Sequence, residues 1–94
     1  MTNSAMWYVY LLRCADDSLY TGVTTEPERR LDEHNGDNRI GARYTRARRP
    51  VRLVYQEACT DRSTACRRES EIKKLSKRAK EQLVSTFSLV NNGD

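Results

Sequence analysis

Apolar and β-branched residues are concentrated in two short stretches near the start of the chain. The first, Trp7 to Cys14, reads WYVYLLRC, and a second strand-like run, Leu19 to Thr24, follows the turn-like residues Ala15 to Ser18. Aromatic and branched side chains in runs of this length, separated by turn residues, are typical of paired strands. The pattern predicts a β-hairpin.

A helix start follows the hairpin directly. The run TEPE at positions 25–28 offers a threonine N-cap, a proline in the first turn and a glutamate three residues after the cap. Together these form a capping box, which satisfies backbone N–H groups that a helix leaves unpaired at its first turn. We expect a short helix that ends near Asn35, then a long loop from Gly36 to Pro50.

The second half of the chain predicts one more strand and further helices. Val51 to Ala58 favours a third strand, and Asp61 or Ser63 can cap a helix after it. The apolar residues of that helix recur at helical spacing: Ala65, Ile72, Leu75 and Ala79. The pattern continues as a further turn or a separate helix that contains Leu83, Val84 and Phe87. We predict a single domain over residues 1–94, folded from about 6 to 87 with frayed ends, in the α/β or α+β class: a small three-stranded mixed or antiparallel sheet flanked by two to three helices.

Composition narrows the class of protein. With 37% hydrophobic and 32% charged residues, the chain has the make-up of a small polar globule. No run approaches the roughly 20 apolar residues that span a bilayer, and the N-terminus lacks the pattern of a secretion signal. We expect a cytoplasmic protein with no membrane partner, as a monomer or a weak dimer.

The three cysteines predict neither a disulfide nor a metal site. Cys14, Cys59 and Cys66 are odd in number, and their spacing fits neither a disulfide framework nor a zinc site. We expect three free thiols that serve as small buried hydrophobic residues.

The net charge of +4 is arginine-rich, and the arginines gather in the long loop. Because the arginine fork matches phosphate oxygens, we expect an anionic polymer as the partner. The loop residues assigned to nucleic-acid binding are Arg39, Arg43, Tyr44, Arg46, Arg48 and Arg49, with Tyr44 available to stack on an exposed base. The alternative is a loop whose charges are only solvated.

Two tyrosines of the hairpin, Tyr10 and Tyr20, are candidate site residues, and the register decides whether they meet. An odd turn that sets Cys14 opposite Tyr20 puts both on one face, whereas a two- or four-residue turn separates them. Even then they lie about four residues apart, roughly 13 Å in a flat sheet. Gly22 inside the second strand indicates a bulge or a close backbone approach. The simpler alternative is that these tyrosines only pack, with hydroxyls at the edge.

Three residues of the predicted helices are further candidates. Glu69 falls on the apolar face of its helix, where a carboxylate needs a cation, a pKa shift or a metal. Lys73, one turn on, supplies the simplest partner, so an ion pair is the alternative to a metal ligand. Arg30 and His34 are four residues apart on the first helix and can face the hairpin together, or can be solvated.

These positions together resemble a known family. Tyr8-Val9-Tyr10 and Tyr20-Thr21-Gly22 resemble the paired motifs that name the GIY-YIG superfamily, although the first motif lacks its glycine. The stretch YTGVTTEPERRLDEH sets Arg30 and His34 at the spacing of that family, and GARYTRARRPVRLVYQE resembles its compact, single-domain bacterial subfamily. The resemblance covers about Trp7 to Leu83.

The resemblance implies a role for each candidate. Glu69, in the segment RRESEIKKL, matches the helix glutamate that ligates one divalent metal, Mg²⁺ or Mn²⁺. The resemblance further implies that Tyr20 activates the attacking water, that Arg30 steadies the scissile phosphate, and that the water network is oriented by Tyr10 and His34.

We therefore predict a divalent-metal-dependent endonuclease that hydrolyses phosphodiester bonds of nucleic acid, with DNA favoured over RNA as partner. Lys73 is assigned either as an additional phosphate contact or as the residue that keeps Glu69 ionised. The main alternative is a non-catalytic nucleic-acid-binding module with the same fold. A weaker alternative is a small interaction protein whose basic surface docks an acidic partner.

Overall fold

The computed structural model describes residues 6–36 and 41–92. In this part of the chain there are three strands, β1 (Trp7–Arg13), β2 (Leu19–Thr24) and β3 (Arg52–Cys59), and four helices, α1 (Pro27–Gly36), α2 (Arg43–Arg46), α3 (Arg62–Lys73) and α4 (Lys77–Asn92). The strands form one antiparallel sheet in the order β2-β1-β3. The architecture is α+β, which confirms the predicted fold class, with one helix more than the two or three expected.

The hairpin register places Tyr10 and Tyr20 on the same face of the sheet. The turn has three residues, an odd number, and Tyr10 faces Gly22 while Leu12 faces Tyr20. The register is the same-face alternative that the sequence left open, with Leu12 rather than Cys14 opposite Tyr20. The two tyrosines are consequently diagonal neighbours, two residues apart along the ladder instead of four, which brings long side chains within reach of each other.

The central strand β1 is covered on both faces. One face packs under α3 and α4 around Val9, Leu11 and Ile72, and the other packs under α1 around Tyr10 and Leu12. Successive side chains of a strand point to opposite faces, so covering both faces buries the four consecutive residues Val9 to Leu12. Only 2% of the surface of Tyr10 is exposed, which makes it a core residue rather than an edge tyrosine.

Helix α1 begins one residue later than the predicted capping box implies. The carbonyl oxygen of Glu26 accepts the first helical hydrogen bond, from Arg30 N–H at 2.9 Å. Glu26 therefore occupies the N-cap position that was predicted for Thr25. Pro27 becomes the first helical residue, where the missing N–H of proline costs nothing.

The predicted apolar stripe is divided between two helices. Helix α3 is capped by Asp61, one of the two predicted caps, whose carboxylate accepts from Thr64 N–H at 2.7 Å. A new helix then starts at Ser76, whose Oγ accepts from Ala79 N–H at 3.1 Å. Ala79 therefore belongs to α4, and the continuation through Leu83 is a separate helix.

The long basic loop is not irregular throughout, since the single-turn helix α2 lies within it.

Cys14, Cys59 and Cys66 are free thiols, as predicted. The expectation that all three are buried is wrong for Cys66, which is exposed and lines a cavity beside the sheet. Among the residues that the structure describes, no helix combines the length and the apolar content that a bilayer crossing requires.

Candidate active site

A cavity of about 520 Å³ lies at the β2 edge of the sheet. Four of the five residues predicted to be catalytic line it, and they come from four different elements: Tyr10 of β1, Tyr20 of β2, Arg30 of α1 and Glu69 of α3. The fifth, His34, lies behind the two tyrosines. The fold thus gathers the predicted set at one place.

Gly22 gives the Tyr10 side chain its path to the cavity. The two residues face each other across the hairpin, and a Cβ built at Gly22 would overlap the Tyr10 hydroxyl and ring. The Tyr10 ring therefore lies across the glycine backbone of β2. This is the close backbone approach that a glycine inside a strand indicates.

His34 connects Tyr10 to the segment around α2. The Tyr10 hydroxyl lies 2.9 Å from His34 Nε2, and His34 Nδ1 lies 2.7 Å from Thr45 Oγ1. His34 and Thr45 are fully buried, so the solvated alternative for His34 is wrong. Burial, and then the positive charge of Arg30, lower the pKa of His34 to about 4, so the imidazole is neutral at pH 7.

Tyr10 is held in its protonated form. Burial and the neighbouring Tyr20 raise the pKa of Tyr10 to about 12, against the opposing effect of Arg30. At neutral pH the Tyr10 phenol consequently keeps its proton and can donate one hydrogen bond.

The ring of Tyr20 is fixed by two aromatic neighbours. Its centroid lies 5.1 Å from the His34 ring in an edge-on arrangement and 5.8 Å from the Tyr44 ring. The Arg48 guanidinium covers the Tyr44 ring at 3.9 Å from its centroid. Contacts of this kind restrict the orientation of a ring without using its hydroxyl. These ring contacts therefore hold Tyr20 in place, and Tyr20 is one of the residues that line the cavity.

Arg30 and Glu69 bring charges of opposite sign to the cavity. Arg30 is paired with Glu33 at 2.9 Å, and 26% of its side chain is exposed. The Glu69 side chain is 23% exposed and lies 3.4 Å from Lys73 Nζ. The ion pair that competes with the metal-ligand hypothesis is therefore present, and the same carboxylate lines the cavity.

The donor set of the cavity fits a divalent ion that is shared with a substrate. Glu69 is the carboxylate among the described residues that line it, and the described chain holds no cluster of three or more His, Cys, Asp or Glu side chains that could bind an ion unaided. Mg²⁺ is commonly bound by one or two carboxylates, with water and phosphate oxygens completing its octahedral shell. A single carboxylate beside Arg30 meets that requirement when phosphate is present.

Two of the arginines predicted to bind phosphate are used inside the protein. Arg49 Nε donates to the His34 carbonyl oxygen at 2.6 Å. Arg48 Nε pairs with Asp16 Oδ2 at 3.0 Å, which ties the α2 segment to the hairpin turn. Both arginines therefore hold the framework of the site, whatever else they contact.

The remaining predicted contacts are more accessible. Arg43, Tyr44 and Arg46 belong to α2 and are exposed, and the Lys73 side chain is 57% exposed beside Glu69. Arg39 lies outside the residues that the structure describes. The α2 surface thus borders the cavity through the contact between the Tyr44 and Tyr20 rings.

Sequence reasoning did not assign Thr45, Arg62 or Cys66 to the site. Arg62 and Cys66 line the cavity from α3, and their spacing to Glu69 is a signal that could have placed them on the same helix face as that carboxylate. Thr45 gave no local signal, because its contact with His34 joins two separate segments of the chain.

Comparison with known proteins identifies the family. Residues 6–82 match the family model described as the GIY-YIG catalytic domain. The chain is 55% identical over 83 residues to the UPF0213 protein DP2720 of Desulfotalea psychrophila, covering 88% of this chain and 74% of that protein. It is 48% identical over 89 residues to a UPF0213 protein of Enterococcus faecalis, covering 93% and 99%.

Solved structures agree with this assignment. The solution NMR structure of the UPF0213 protein BH0048 from Bacillus halodurans has 49% sequence identity and a TM-score of 0.54, covering 86% of this chain and 84% of that chain. The solution NMR structure of EF2693 from E. faecalis has 45% identity and a TM-score of 0.60, covering 95% and 93%. The chain therefore belongs to the GIY-YIG catalytic-domain family and is similar over most of its length to the small UPF0213 proteins.

Proposed function

We propose that this protein is a divalent-metal-dependent endonuclease that hydrolyses phosphodiester bonds in nucleic acid, with DNA favoured over RNA. The observation that carries the proposal is the shared cavity, which collects two phenols, two guanidinium groups and one carboxylate from four elements. Phosphodiester hydrolysis needs a base, a cation for the phosphoryl oxygens and a metal ligand. Those are the groups collected here.

The surroundings of the two tyrosines support a division of roles between them. Tyr10, with its pKa raised to about 12, remains a phenol and is bound to His34. Tyr20 is then the base: its phenolate accepts a proton from water, the water oxygen bonds to phosphorus, and the bond to the leaving ester oxygen breaks. Solvent protonates that oxygen. The Arg30 cation binds the scissile phosphate.

Glu69 would hold the divalent ion, Mg²⁺ or Mn²⁺. Such an ion, when bound, neutralises negative charge on the phosphoryl oxygens. Lys73, 3.4 Å from Glu69, would pair with that carboxylate or contact a neighbouring phosphate. The exposed α2 residues Arg43, Tyr44 and Arg46 would extend the contact along the nucleic acid.

The departure of the first motif from the family pattern favours a second candidate, a non-catalytic binding module. Tyr8 stands where that motif has glycine, and it is paired with Thr24. It lines a different groove from the cavity, beside Pro27 and Gln56. Because the departure removes none of the cavity groups, we rank the enzyme first.

A cleavage experiment distinguishes the two functions. Single-stranded, duplex and branched DNA and an RNA of matched sequence are incubated with Mg²⁺, Mn²⁺ or chelator. Wild type is compared with Glu69→Gln and Tyr20→Phe. The matched control is Glu71→Gln, since Glu71 lies on the same helix but is exposed and paired with Arg68 at 3.1 Å.

Metal-dependent cleavage by wild type and the control, lost in the two site variants with binding retained, would support the enzyme. Binding without cleavage in all four proteins would support the non-catalytic module instead.

A further inference from the structure

A chain of three hydrogen-bond contacts runs from the cavity into the α2 segment. It starts at the Tyr10 hydroxyl, 2.9 Å from His34 Nε2, and continues from His34 Nδ1 to Thr45 Oγ1 over 2.7 Å. It ends where Thr45 Oγ1 donates to the Ala42 carbonyl oxygen over 3.0 Å. His34 and Thr45 are fully buried, so water cannot replace a missing partner along most of this chain.

The last acceptor fixes the direction of every bond in this chain. A carbonyl oxygen accepts and cannot donate, so the hydrogen between Thr45 and Ala42 must come from the threonine hydroxyl. Thr45 has only that one hydrogen and must accept from His34, which places a hydrogen on Nδ1. A neutral imidazole carries one N–H, so Nε2 is an acceptor and Tyr10 donates to it.

The opposite direction leaves one contact without a hydrogen. If His34 carried its hydrogen on Nε2, Tyr10 would accept and Thr45 would donate to Nδ1. Two acceptor oxygens, those of Thr45 and Ala42, would then face each other at 3.0 Å inside the protein. The lone pairs of two oxygens at that distance repel each other, and water cannot screen a buried contact, so the first direction is favoured.

We propose that Thr45 is a positioning residue that sets the tautomer of His34 and thereby turns the lone pairs of the Tyr10 oxygen toward the cavity. In this arrangement the Tyr10 hydrogen points inward, to His34. Its oxygen accepts hydrogen bonds on the cavity side, from the Arg30 guanidinium, whose hydrogen bond to Tyr10 acts on the pKa of both groups, and from a water molecule. In the other tautomer the Tyr10 hydrogen would point toward the cavity and oppose the Arg30 donors.

The location of Thr45 explains why a threonine serves here. It lies in α2, whose first helical bond runs from Arg46 N–H to the same Ala42 carbonyl oxygen at 3.0 Å. A hydroxyl side chain in a helix readily donates to the carbonyl three or four residues back. Its remaining lone pairs are then the acceptor for a buried imidazole N–H, and helix geometry holds them in place.

The tautomer can be read directly, because His34 is the only histidine in the chain. Long-range ¹H–¹⁵N correlation spectra of the protein without a histidine tag report which ring nitrogen carries the hydrogen. We expect the Nδ1–H tautomer in wild type, in Thr45→Ser and in the control Thr86→Val, an exposed threonine of α4. In Thr45→Val the hydroxyl is lost at nearly constant volume, and the Nε2–H tautomer should become the major form.

An Nε2–H tautomer in wild type would overturn the assignment without any variant. An unchanged Nδ1–H tautomer in Thr45→Val would overturn the role of Thr45, and Thr45→Ala replaces that variant if it does not fold. These spectra need no enzymatic activity, so they decide the assignment even if the proposed nuclease function fails.

The expected effect of Thr45 on catalysis rests on the proposed function, and it is measured separately, through kcat and KM. Loss of an orienting hydrogen bond behind a reacting group typically costs about 10- to 100-fold in activity. We expect Thr45→Val to lower kcat by about that factor with KM for nucleic acid unchanged, and Thr45→Ser to restore kcat. A kcat in Thr45→Val equal to that of Thr86→Val would overturn the positioning role.

Discussion

At the scale of single residues, the site depends on a glycine, Gly22, because any larger side chain there would overlap Tyr10. Gly22 has no contact role of its own, yet it is the residue over which Tyr10 reaches the cavity. The sequence predicted a close approach at Gly22 from its type and position. It could not predict which side chain would approach, because the hairpin register sets that, and the sequence left the register open.

Gly22→Ala should therefore displace Tyr10 from His34. The added methyl overlaps the Tyr10 ring and hydroxyl, and the ring is too buried to move freely. We expect unfolding free energy to fall by about 1 to 3 kcal/mol, the usual cost of overpacking, and cleavage to be lost. Urea unfolding and the cleavage assay check both effects. Gly36→Ala is the control, since nothing lies within 4 Å of a Cβ there, and equal stability of the two variants would contradict the argument.

The neutral state of His34 makes stability depend on pH. Its pKa is lowered from 6.5 to about 4 in the folded protein by burial and by the Arg30 charge. The unfolded chain therefore binds the proton first, and the contribution of His34 is complete above pH 6.5 and lost as the pH falls toward 4. Between pH 7 and pH 5 we expect a loss of about 2 kcal/mol.

Urea unfolding at those two values measures this loss, and most carboxylates stay ionised throughout that range. The control is His34→Gln, which lacks the titrating group and should lose much less stability than wild type over the same interval. Equal losses in the two proteins would show that other groups cause the pH dependence.

At the scale of elements, local signals located the strands and helix starts, and long-range contacts decided the rest. The cap at Asp61 and the strand-like runs were readable because they depend on neighbouring residues. Helix α2 was not, since its arginine-rich sequence has little apolar periodicity and Thr45 is buried through its contact with His34. The break between α3 and α4 had a signal at Ser76 that the apolar spacing obscured.

The attachment of α4 to the sheet rests partly on one bidentate ion pair. Arg13, at the end of β1, donates to the two carboxylate oxygens of Glu81 over 2.5 and 2.6 Å. Hydrogen bonding from Arg13 lowers the pKa of Glu81. Only 15% of the Arg13 side chain is exposed, so solvent compensates poorly for a lost partner.

Glu81→Gln should lower the unfolding free energy by about 1 to 2 kcal/mol at pH 7, because it leaves the Arg13 cation with only the exposed Asp17 carboxylate, 3.6 Å away, as a charged partner. Cleavage should be unchanged in the folded variant, since neither residue lines the cavity. Urea denaturation measures the stability change, with Glu71→Gln as the exposed-pair control. A loss no larger than that of the control would mean that the ion pair does not hold α4.

At the scale of the whole molecule, the sequence could predict which residues form the candidate site, but it could not predict how they are arranged in space. The resemblance named Tyr10, Tyr20, Arg30 and Glu69 together, and the cavity collects the same four. Nothing in the spacing alone could bring a residue of α3 beside the hairpin, because that depends on how the helices pack. The contacts of Arg48 and Arg49 with Asp16 and the His34 carbonyl oxygen also depend on packing, so the sequence could not show that these two arginines have partners inside the protein.

Exposed arginines and arginines with partners inside the protein should affect the salt dependence of DNA binding differently. Each lysine or arginine that neutralises a phosphate steepens the salt dependence of affinity, by about 0.9 in the logarithmic slope for duplex DNA. Arg43 is exposed on α2, so Arg43→Gln should make the salt dependence less steep by the amount expected for one phosphate contact, and it should leave stability unchanged. Arg49 donates to the His34 carbonyl oxygen, so Arg49→Gln should chiefly reduce stability.

Fluorescence anisotropy of labelled DNA across a salt series, with chelator present to prevent cleavage, measures both slopes, and urea unfolding measures both stabilities. The two variants carry the same change of charge, so any difference between them comes from position alone. If Arg49→Gln lowered the slope as much as Arg43→Gln and retained wild-type stability, Arg49 would be a phosphate contact and its bond to the His34 carbonyl oxygen would contribute little. If neither variant changed the slope, the nucleic acid would have to approach the cavity from a side other than α2.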